Sequence, residues 1–324
     1  LRIPANLVEQ MREYLIVIFA GLIGIFLYNF FASLLRSLGN SVVPLVFLAV
    51  SACLNIGLDL WFVAGLNRGV AGAAEATVIS QYVSGIGIAI YTRIKFSELF
   101  KKETNVSLRL SRMGEITRFS ALTCLQQSIM NLGILAVQGL VNSYGTTVMA
   151  AFAAAVKIDA FAYLPVQAFG NAFSIFIAQN FGAKRMDRIQ KGIHVAVFTS
   201  LTFGFLISCC VVVLAKPLMI LFIDANETAV ITEGVRYLHI EGAFYFMIGG
   251  LFLLYGLYRA IEKPGMSVVL TIVSLGTRVF LAYTLSAIPS LGVVGIWWSV
   301  PIGWFLADAL GVGYYIVKYR KTLG

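Results

Sequence analysis

The sequence predicts an all-α integral membrane protein, on the grounds of its hydropathy, its low charge and its long uncharged stretches. Mean hydropathy is +0.88, and 59% of the residues are hydrophobic. Only 12% are charged, about half the roughly 25% that a soluble domain carries. No charged residue occurs between Arg118 and Lys157, and such a stretch exceeds the roughly 20 residues that cross a bilayer core. Backbone groups in lipid must be satisfied within their own segment, so helices are predicted.

The apolar stretches predict nine transmembrane spans. Two prolines, Pro44 and Pro264, fall where a span begins, a position that tolerates the missing N–H. Two others, Pro165 and Pro301, fall inside spans and are expected to kink them. The predicted spans lie near residues 14–36, 43–64, 70–92, 119–142, 148–180, 195–215, 239–259, 266–288 and 292–317.

The net charge of +9 does not indicate a nucleic-acid partner, because the basic residues lie in short loops beside the apolar stretches. When the first span runs from outside to inside, most of the 24 Lys and Arg residues fall in cytoplasmic loops, as the positive-inside rule requires. The sequence therefore predicts a multi-pass protein of the plasma (inner) membrane. The first residue then lies outside the cell.

An internal repeat relates the first three spans to the last three. The same offset separates Arg36 from Arg259 and Gly69 from Gly292, and each pair stands at corresponding span ends. The spans repeat in the same orientation, and parallel repeats are an architecture of transporters with two lobes.

The repeat predicts two six-helix lobes related by a pseudo-two-fold axis. Residues 1–95 are expected to be the second half of an amino-terminal lobe, with three further helices before Leu1. A cytoplasmic interlobe loop is expected at 96–116, and a complete carboxy-terminal lobe at 117–324.

An enzyme is not predicted. The two His residues flank membrane ends without the spacing of metal ligands. An intramembrane enzyme needs a nucleophile with a base, or a metal constellation, and no such pattern or cofactor is indicated. The four cysteines fall inside apolar stretches and are expected to be small core residues: Cys53, Cys124, Cys209 and Cys210.

Five short segments keep an order and spacing typical of one transporter family. They are Leu34-Leu-Arg-Ser-Leu-Gly39 followed by Pro44, Leu54-Asn-Ile-Gly-Leu-Asp59, Gly69-Val-Ala-Gly-Ala-Ala74 with Ala76-Thr77, Gln126-Gln-Ser128, and Ala178-Gln-Asn-Phe-Gly-Ala183. By these segments the chain resembles the multidrug and toxic compound extrusion (MATE) family along nearly its whole length. The nine spans would then match the fourth to twelfth helices of a twelve-helix transporter.

The resemblance implies a monomeric antiporter that exports small organic cations against inward Na⁺ or H⁺. The alternative from the same superfold is a lipid-linked oligosaccharide flippase, which would need a strongly cationic cleft to hold pyrophosphate. Only Arg278 and Lys157 lie inside predicted spans, and acidic residues accompany them. Export of cations is therefore favoured.

Intramembrane ionisable residues are the candidates for function, because each costs roughly 2.5–3.5 kcal/mol at a helix centre. Asp59 and Asn55 share one face of their helix, and Thr77 reaches a similar depth on the next span. Their oxygens suit a small cation. In MATE proteins that resemble this chain, Asn55, Asp59 and Thr77 match residues of an amino-lobe cation site.

Fewer motifs support the prediction of functional residues in the substrate cleft and in the second lobe. The expected cleft residues are Tyr28, Asn29, Glu75, Arg278 and Asp308.

The repeat offset carries the amino-lobe site onto Arg278, Ala282 and Val300, so the carboxy lobe is expected to lack a cation site. Met130 and Ile248 stand near positions where one branch of the family often carries acids. Glu241 is a candidate acceptor for Arg278, whereas no role is predicted for Lys157 and Asp159 because they do not share a helix face.

Overall fold

In the computed structural model, which describes residues 8–100 and 110–319, every regular element is a helix. The chain divides into two compact units, Leu1–Leu108 and Arg109–Gly324, named here the amino unit and the carboxy unit. The predicted all-α membrane class is confirmed by this helical content and by helices long and apolar enough to cross a bilayer.

Residues 8–100 of the amino unit form four α-helices and one π-helical segment. Helices α1 and α2 are bent by 41° and together could form one span. The bounds are α1 Val8–Ala20, α2 Leu22–Ser37, α3 Val42–Asp59, the π-helix Leu60–Gly65, and α4 Gly69–Lys95, which a short 3₁₀ turn at Ser97–Phe100 follows.

Residues 110–319 of the carboxy unit form the remaining eight α-helices described. The span predicted at 239–259 is preceded without a long break by α9, so that Thr228–Ala260 forms one membrane-crossing stretch. The bounds are α5 Leu110–Asn142, α6 Thr146–Gly182, α7 Met186–Val213, α8 Ala215–Ile220, α9 Thr228–Glu241, α10 Tyr245–Ala260, α11 Pro264–Ser286 and α12 Val293–Lys318.

The described chain contains eight candidate spans, or nine when the bent pair α1–α2 counts as one, which agrees with the nine predicted. The structure differs from the sequence prediction mainly at helix ends. Helix α5 starts at Leu110, within the predicted interlobe loop, and α7 starts at Met186 rather than near residue 195. Polar and charged first turns extend these helices past the apolar stretch by which the spans were predicted.

Proline and glycine set several of the helix boundaries. Pro264 is the first residue of α11, as predicted, because a helix needs no N–H there. Gly145 and Gly292 precede α6 and α12 with φ of +96° and +48°, a region that residues with a Cβ rarely adopt. Pro165 and Pro301 lie inside α6 and α12, which continue through them.

In the amino unit, α4 packs against α2 and α3 through small residues. A Cβ on Gly85 would lie 2.6 Å from the carbonyl oxygen of Gly24, so the two backbones approach closely only because both residues are glycines. The hydroxyl of Ser51 on α3 donates to the carbonyl of Ser80 on α4 at 2.9 Å. Small residues and interhelical hydrogen bonds are what hold helices together in lipid.

In the carboxy unit, α10 is the most enclosed helix. The most apolar part of Thr228–Ala260 is 67% buried, the highest share of any described span. Gly170 on α6 and Gly256 on α10 allow these two helices to approach, since a Cβ on Gly256 would lie 2.6 Å from the Gly170 carbonyl oxygen. On the other side, a Cβ on Gly204 of α7 would lie 2.6 Å from the Cα of Phe246.

Replacement of Gly256 by Ala is expected to destabilise the carboxy unit, because the added methyl group would force the α6 and α10 backbones apart. Overpacking of this kind costs about 1–3 kcal/mol. Gly276→Ala on α11 is the matched control, since its Cβ would meet no described atom within 4 Å. Thermal unfolding in detergent should give a lower midpoint for Gly256→Ala only. Equal midpoints for the two variants would contradict the close approach.

Candidate functional site

The predicted amino-unit site lies where α3 ends and α4 passes it. Asn55 Nδ2 lies 3.4 Å from Thr77 Oγ1, and the Thr77 hydroxyl donates to the Ala73 carbonyl at 2.9 Å. Because the Thr77 proton is directed to its own helix, the hydroxyl oxygen accepts from Asn55. The side-chain amide oxygen of Asn55 therefore remains available as an acceptor or ligand.

Asp59 is the last residue of α3, at the junction with the π-helical segment. Its Oδ1 is buried and has no hydrogen-bond partner among the described residues. A buried carboxylate oxygen without a donor is costly, and π-helical turns inside longer helices frequently occur at functional sites. The oxygen is thus oriented toward an interaction that the described protein atoms do not supply.

Gly72 allows α4 to lie against this π-helical turn. A Cβ there would lie 3.1 Å from the Cβ of Phe62 and 2.9 Å from that of Arg68. The backbone hydrogen bonds of the helix continue across the π-helical turn, where Leu66 N donates to the Trp61 carbonyl at 2.9 Å. The local packing therefore holds the π-helical turn that follows Asp59 against α4.

The other predicted cleft residues of the amino unit already have protein partners. Glu75 lies 2.6 Å from Arg68 in a partly exposed ion pair. The Tyr28 hydroxyl donates to the Pro44 carbonyl at 3.0 Å, and Asn29 Nδ2 donates to Ile25 at 3.0 Å. Each of these three side chains therefore has a contact within the amino unit.

The carboxy unit contains a cavity of about 280 Å³ lined by residues of α5, α6, α9, α10, α11 and α12, here named the inner cavity. Two acidic residues and one basic residue line it: Asp159, Glu241 and Arg278. Met130 and Ile248 line it as well. The prediction that this half of the protein lacks a carboxylate at its candidate site is therefore wrong.

The error came from transferring the amino-unit positions by the repeat offset alone. That offset leads to Ala282 and Val300, and both are buried in apolar packing. The carboxylates of the inner cavity come instead from α6 and α9, two helices onto which the repeat offset carries none of the amino-unit site residues. Arg278 lines the same cavity.

Asp159 accepts hydrogen bonds at both of its oxygens. The donors are the hydroxyl groups of Tyr237 on α9 and Tyr245 on α10. Tyr237 is fixed in turn by edge contacts with Phe152 and Trp297, whose ring centroids lie 5.6 and 4.9 Å from its own. This aromatic cluster holds α6, α9 and α12 around the carboxylate.

Glu241 and Arg278 complete the charged lining, and each has an atom without a partner. Glu241 Oε2 and Arg278 Nε are buried, and neither makes a hydrogen bond to a described residue. Glu241 was the predicted acceptor for Arg278, and the structure places both in one cavity. When all three groups are ionised, two negative charges face one positive charge.

Sequence reasoning missed Asp159 because it was compared only with its near neighbour Lys157. The Lys157 ammonium lies over the Phe222 ring at 5.7 Å from its centroid, and thus takes no part in the inner cavity. The signal that could have found Asp159 is its position inside a predicted span, because an ionisable residue within a span indicates function by default.

Asp308, the remaining predicted cleft residue, does not line the inner cavity. It lines a second cavity of about 770 Å³ between α7, α10 and α12, here named the outer groove. Arg278 and Asp308 were expected to share one cleft, but they line different cavities of the carboxy unit.

Comparisons with known proteins give one family match and several similar sequences. The sequence model of the MatE family matches residues 123–284. The probable multidrug resistance proteins YoeA and YpnP of Bacillus subtilis are 27% and 29% identical to the chain, over 98% and 97% of it and 70% of each relative.

Solved structures show the same fold. A crystal structure of a MATE protein in the bent conformation has a TM-score of 0.89 at 22% identity, covering 99% of this chain and 72% of the other. An outward-facing multidrug resistance MATE transporter has a TM-score of 0.89 at 21% identity, covering 98% and 71%.

Asp159→Asn is expected to destabilise the protein more than Asp59→Asn. The first change replaces one of two acceptor oxygens by an amide group that faces a tyrosine hydroxyl, and an unsatisfied buried group costs about 1–3 kcal/mol. Asp59 Oδ1 accepts nothing from the described residues, so its loss removes no hydrogen bond there. Thermal unfolding midpoints of both variants measure the difference. A larger loss in Asp59→Asn would contradict the described contacts.

Proposed function

Because the chain belongs to the MATE family, whose members are multi-pass plasma-membrane multidrug transporters and not enzymes, we propose that it exports small organic cations by antiport against Na⁺ or H⁺. Transport proceeds by alternating access. The single observation that carries this proposal is the buried, unpartnered carboxylate oxygen of Asp59, one helical turn along α3 from Asn55, which contacts Thr77.

Asp59, Asn55 and Thr77 form the coupling-cation site of this proposal. A carboxylate, an amide oxygen and a hydroxyl are hard oxygen ligands of the kind that small cations prefer. A proton or Na⁺ would neutralise Asp59 and remove the cost of an uncompensated charge in a low-dielectric surrounding. The adjacent π-helical turn is a break in regular geometry at which α3 can change its packing when that charge is lost.

Coupling between ion and drug follows from this neutralisation. A helix arrangement that is favoured by an occupied Asp59 differs in free energy from the one favoured by an empty Asp59. A drug that binds one arrangement better therefore changes the ion affinity, and the ion changes the drug affinity by the same factor. Ion and drug can compete in this way without sharing a site.

The inner cavity supports a second position for a small cation. Its volume of about 280 Å³ is below the roughly 300–1,000 Å³ of drug-sized ligand sites. Asp159 and Glu241 facing Arg278 leave one negative charge in excess when all are ionised, and a single H⁺ or Na⁺ would balance it. Tyr237 and Tyr245 keep Asp159 oriented in either state.

The charge of the described cavities favours organic cations over the alternative substrate class. A flippase for lipid-linked oligosaccharides would need an excess of positive charge to hold pyrophosphate. Arg278 is the one Lys or Arg residue among the described residues that line the two cavities, and it is accompanied by Asp159 and Glu241.

Asp59→Asn is expected to abolish ion-driven export while leaving expression and membrane insertion unchanged, because Asn cannot carry the charge that the ion neutralises. Ethidium efflux from everted vesicles with imposed Na⁺ or H⁺ gradients measures this in the full-length protein. Asp187→Asn is the control, since that exposed carboxylate pairs with Arg185 at the surface. Gradient-driven efflux of wild-type magnitude from Asp59→Asn would refute the proposed coupling site.

Thr77→Ala is expected to show whether Na⁺ or H⁺ is the coupling ion. The variant removes one oxygen ligand but leaves the Asp59 carboxylate. With Na⁺ as coupling ion, the Na⁺ concentration for half-maximal efflux should rise about tenfold, corresponding to about 1.4 kcal/mol. With H⁺, the pH profile of efflux should stay as in the wild type. Thr284→Ala, whose hydroxyl bonds only to its own helix among the described residues, is the control.

A further inference from the structure

The outer groove of the carboxy unit has a polar centre in an apolar wall. Helix α10 forms its floor, and α7 and α12 form its sides. Several residues of its rim are large, apolar and exposed: Val197, Leu201, Phe305, Val312 and Ile316. The groove is therefore open along its side, in the part of the helices that spans the membrane.

The outer groove is distinct from the inner cavity because the two lie on opposite faces of α10. Ile248, Leu251, Phe252 and Tyr255 face the inner cavity. At 100° per residue these positions cover one face of a helix. The outer groove takes the other face: Phe246, Met247, Gly250, Leu253, Leu254 and Leu257.

Asp308 is the acidic residue of this groove, and part of its carboxylate lacks a protein partner. Its Oδ1 is buried and makes no hydrogen bond to a described residue. Gly250 leaves room for the carboxylate, since a Cβ at that position would lie 3.3 Å from Asp308 Oδ2. No Lys or Arg occurs among the described residues that line the groove.

The polar neighbours do not supply a fixed positive charge either. On α7, the His194 Nδ1 lies 2.8 Å from the carbonyl of Gln190 and is engaged there. A carboxylate inside the membrane without a counter-charge costs several kcal/mol. A bound cation would offset that cost.

The volume of the outer groove and the depth of Asp308 in the membrane indicate which class of cation would fit. The outer groove holds about 770 Å³, within the range of sites for drug-sized ligands. Asp308 precedes Lys318, the end of α12, by a distance of about 15 Å at 1.5 Å per residue. A lipid head group at the membrane surface would not reach this depth, whereas an apolar molecule with an embedded positive charge would.

We propose that the outer groove is a binding site for monovalent organic cations with an apolar body, in which Asp308 pairs with the positive charge. The site admits its ligand from the side, between α7 and α12. The proposal rests on the proposed function only for the class of ligand, because binding here needs no ion gradient. It locates one substrate site within the carboxy unit.

Equilibrium binding of tetraphenylphosphonium to the purified full-length protein in neutral detergent tests the site without transport. Asp308→Asn is expected to raise the Kd at least tenfold, and Gly250→Ala several-fold, because the new methyl group crowds the carboxylate. Asp187→Asn and Gly313→Ala should keep the wild-type Kd, since the first is at the surface and a Cβ at the second would meet no described atom within 4 Å. Unfolding midpoints show which variants are folded.

Protection from alkylation then locates the ligand. Val312→Cys, in a background in which all native cysteines are replaced by Ser, should react with an apolar maleimide and be protected by tetraphenylphosphonium. Phe198→Cys, on the exposed surface of α7 but outside the groove, should react equally with and without it. A wild-type Kd for folded Asp308→Asn, or unprotected Cys at position 312, would overturn the proposal. Failure of Asp59→Asn to lose coupling would overturn only the proposed coupling site.

Discussion

The structure of the carboxy unit depends on how closely α10 can approach its neighbours. Lipid tails are as apolar as Leu side chains, so the hydrophobic effect gives little net attraction between helices in a bilayer. Attraction must come from van der Waals contact and from hydrogen bonds, and glycine makes both available. Gly256 against Gly170, and Gly204 against Phe246, bring α6 and α7 onto α10. Asp159 on α6 can then reach the hydroxyl of Tyr245 on α10.

Much of the fold could be predicted from the sequence, because a bilayer limits a chain to few choices. An apolar stretch of some 20 residues must be a helix, and charges show where it leaves the membrane. The observed helices differ from the predicted ones where the apolar stretches end. Helix α7 continues back to Met186 through a polar first turn, and the π-helical turn after Asp59 has no sequence pattern of its own. The hydropathy pattern from which the spans were predicted reports neither feature.

The candidate sites were less accessible from sequence. Asn55 and Thr77 were expected to lie near each other, and the contact between them agrees with that expectation. Glu241 was expected near Arg278, and both line one cavity. The position of Asp159 with them was missed, because the three residues come from helices far apart in sequence. Spacing along one helix could exclude Lys157 as a partner of Asp159, but it could not supply Tyr237 or Tyr245. Only the packing of α6, α9, α10 and α11 brings these groups together.

The two faces of α10 have a mechanical consequence. The same helix is a wall of the inner cavity and of the outer groove, and protein interiors resist compression. A rigid displacement of α10 toward α7 and α12 therefore enlarges the inner cavity and narrows the outer groove, and the reverse displacement does the opposite. The two volumes are thus anticorrelated, with the glycine contacts of α10 setting how far either can change.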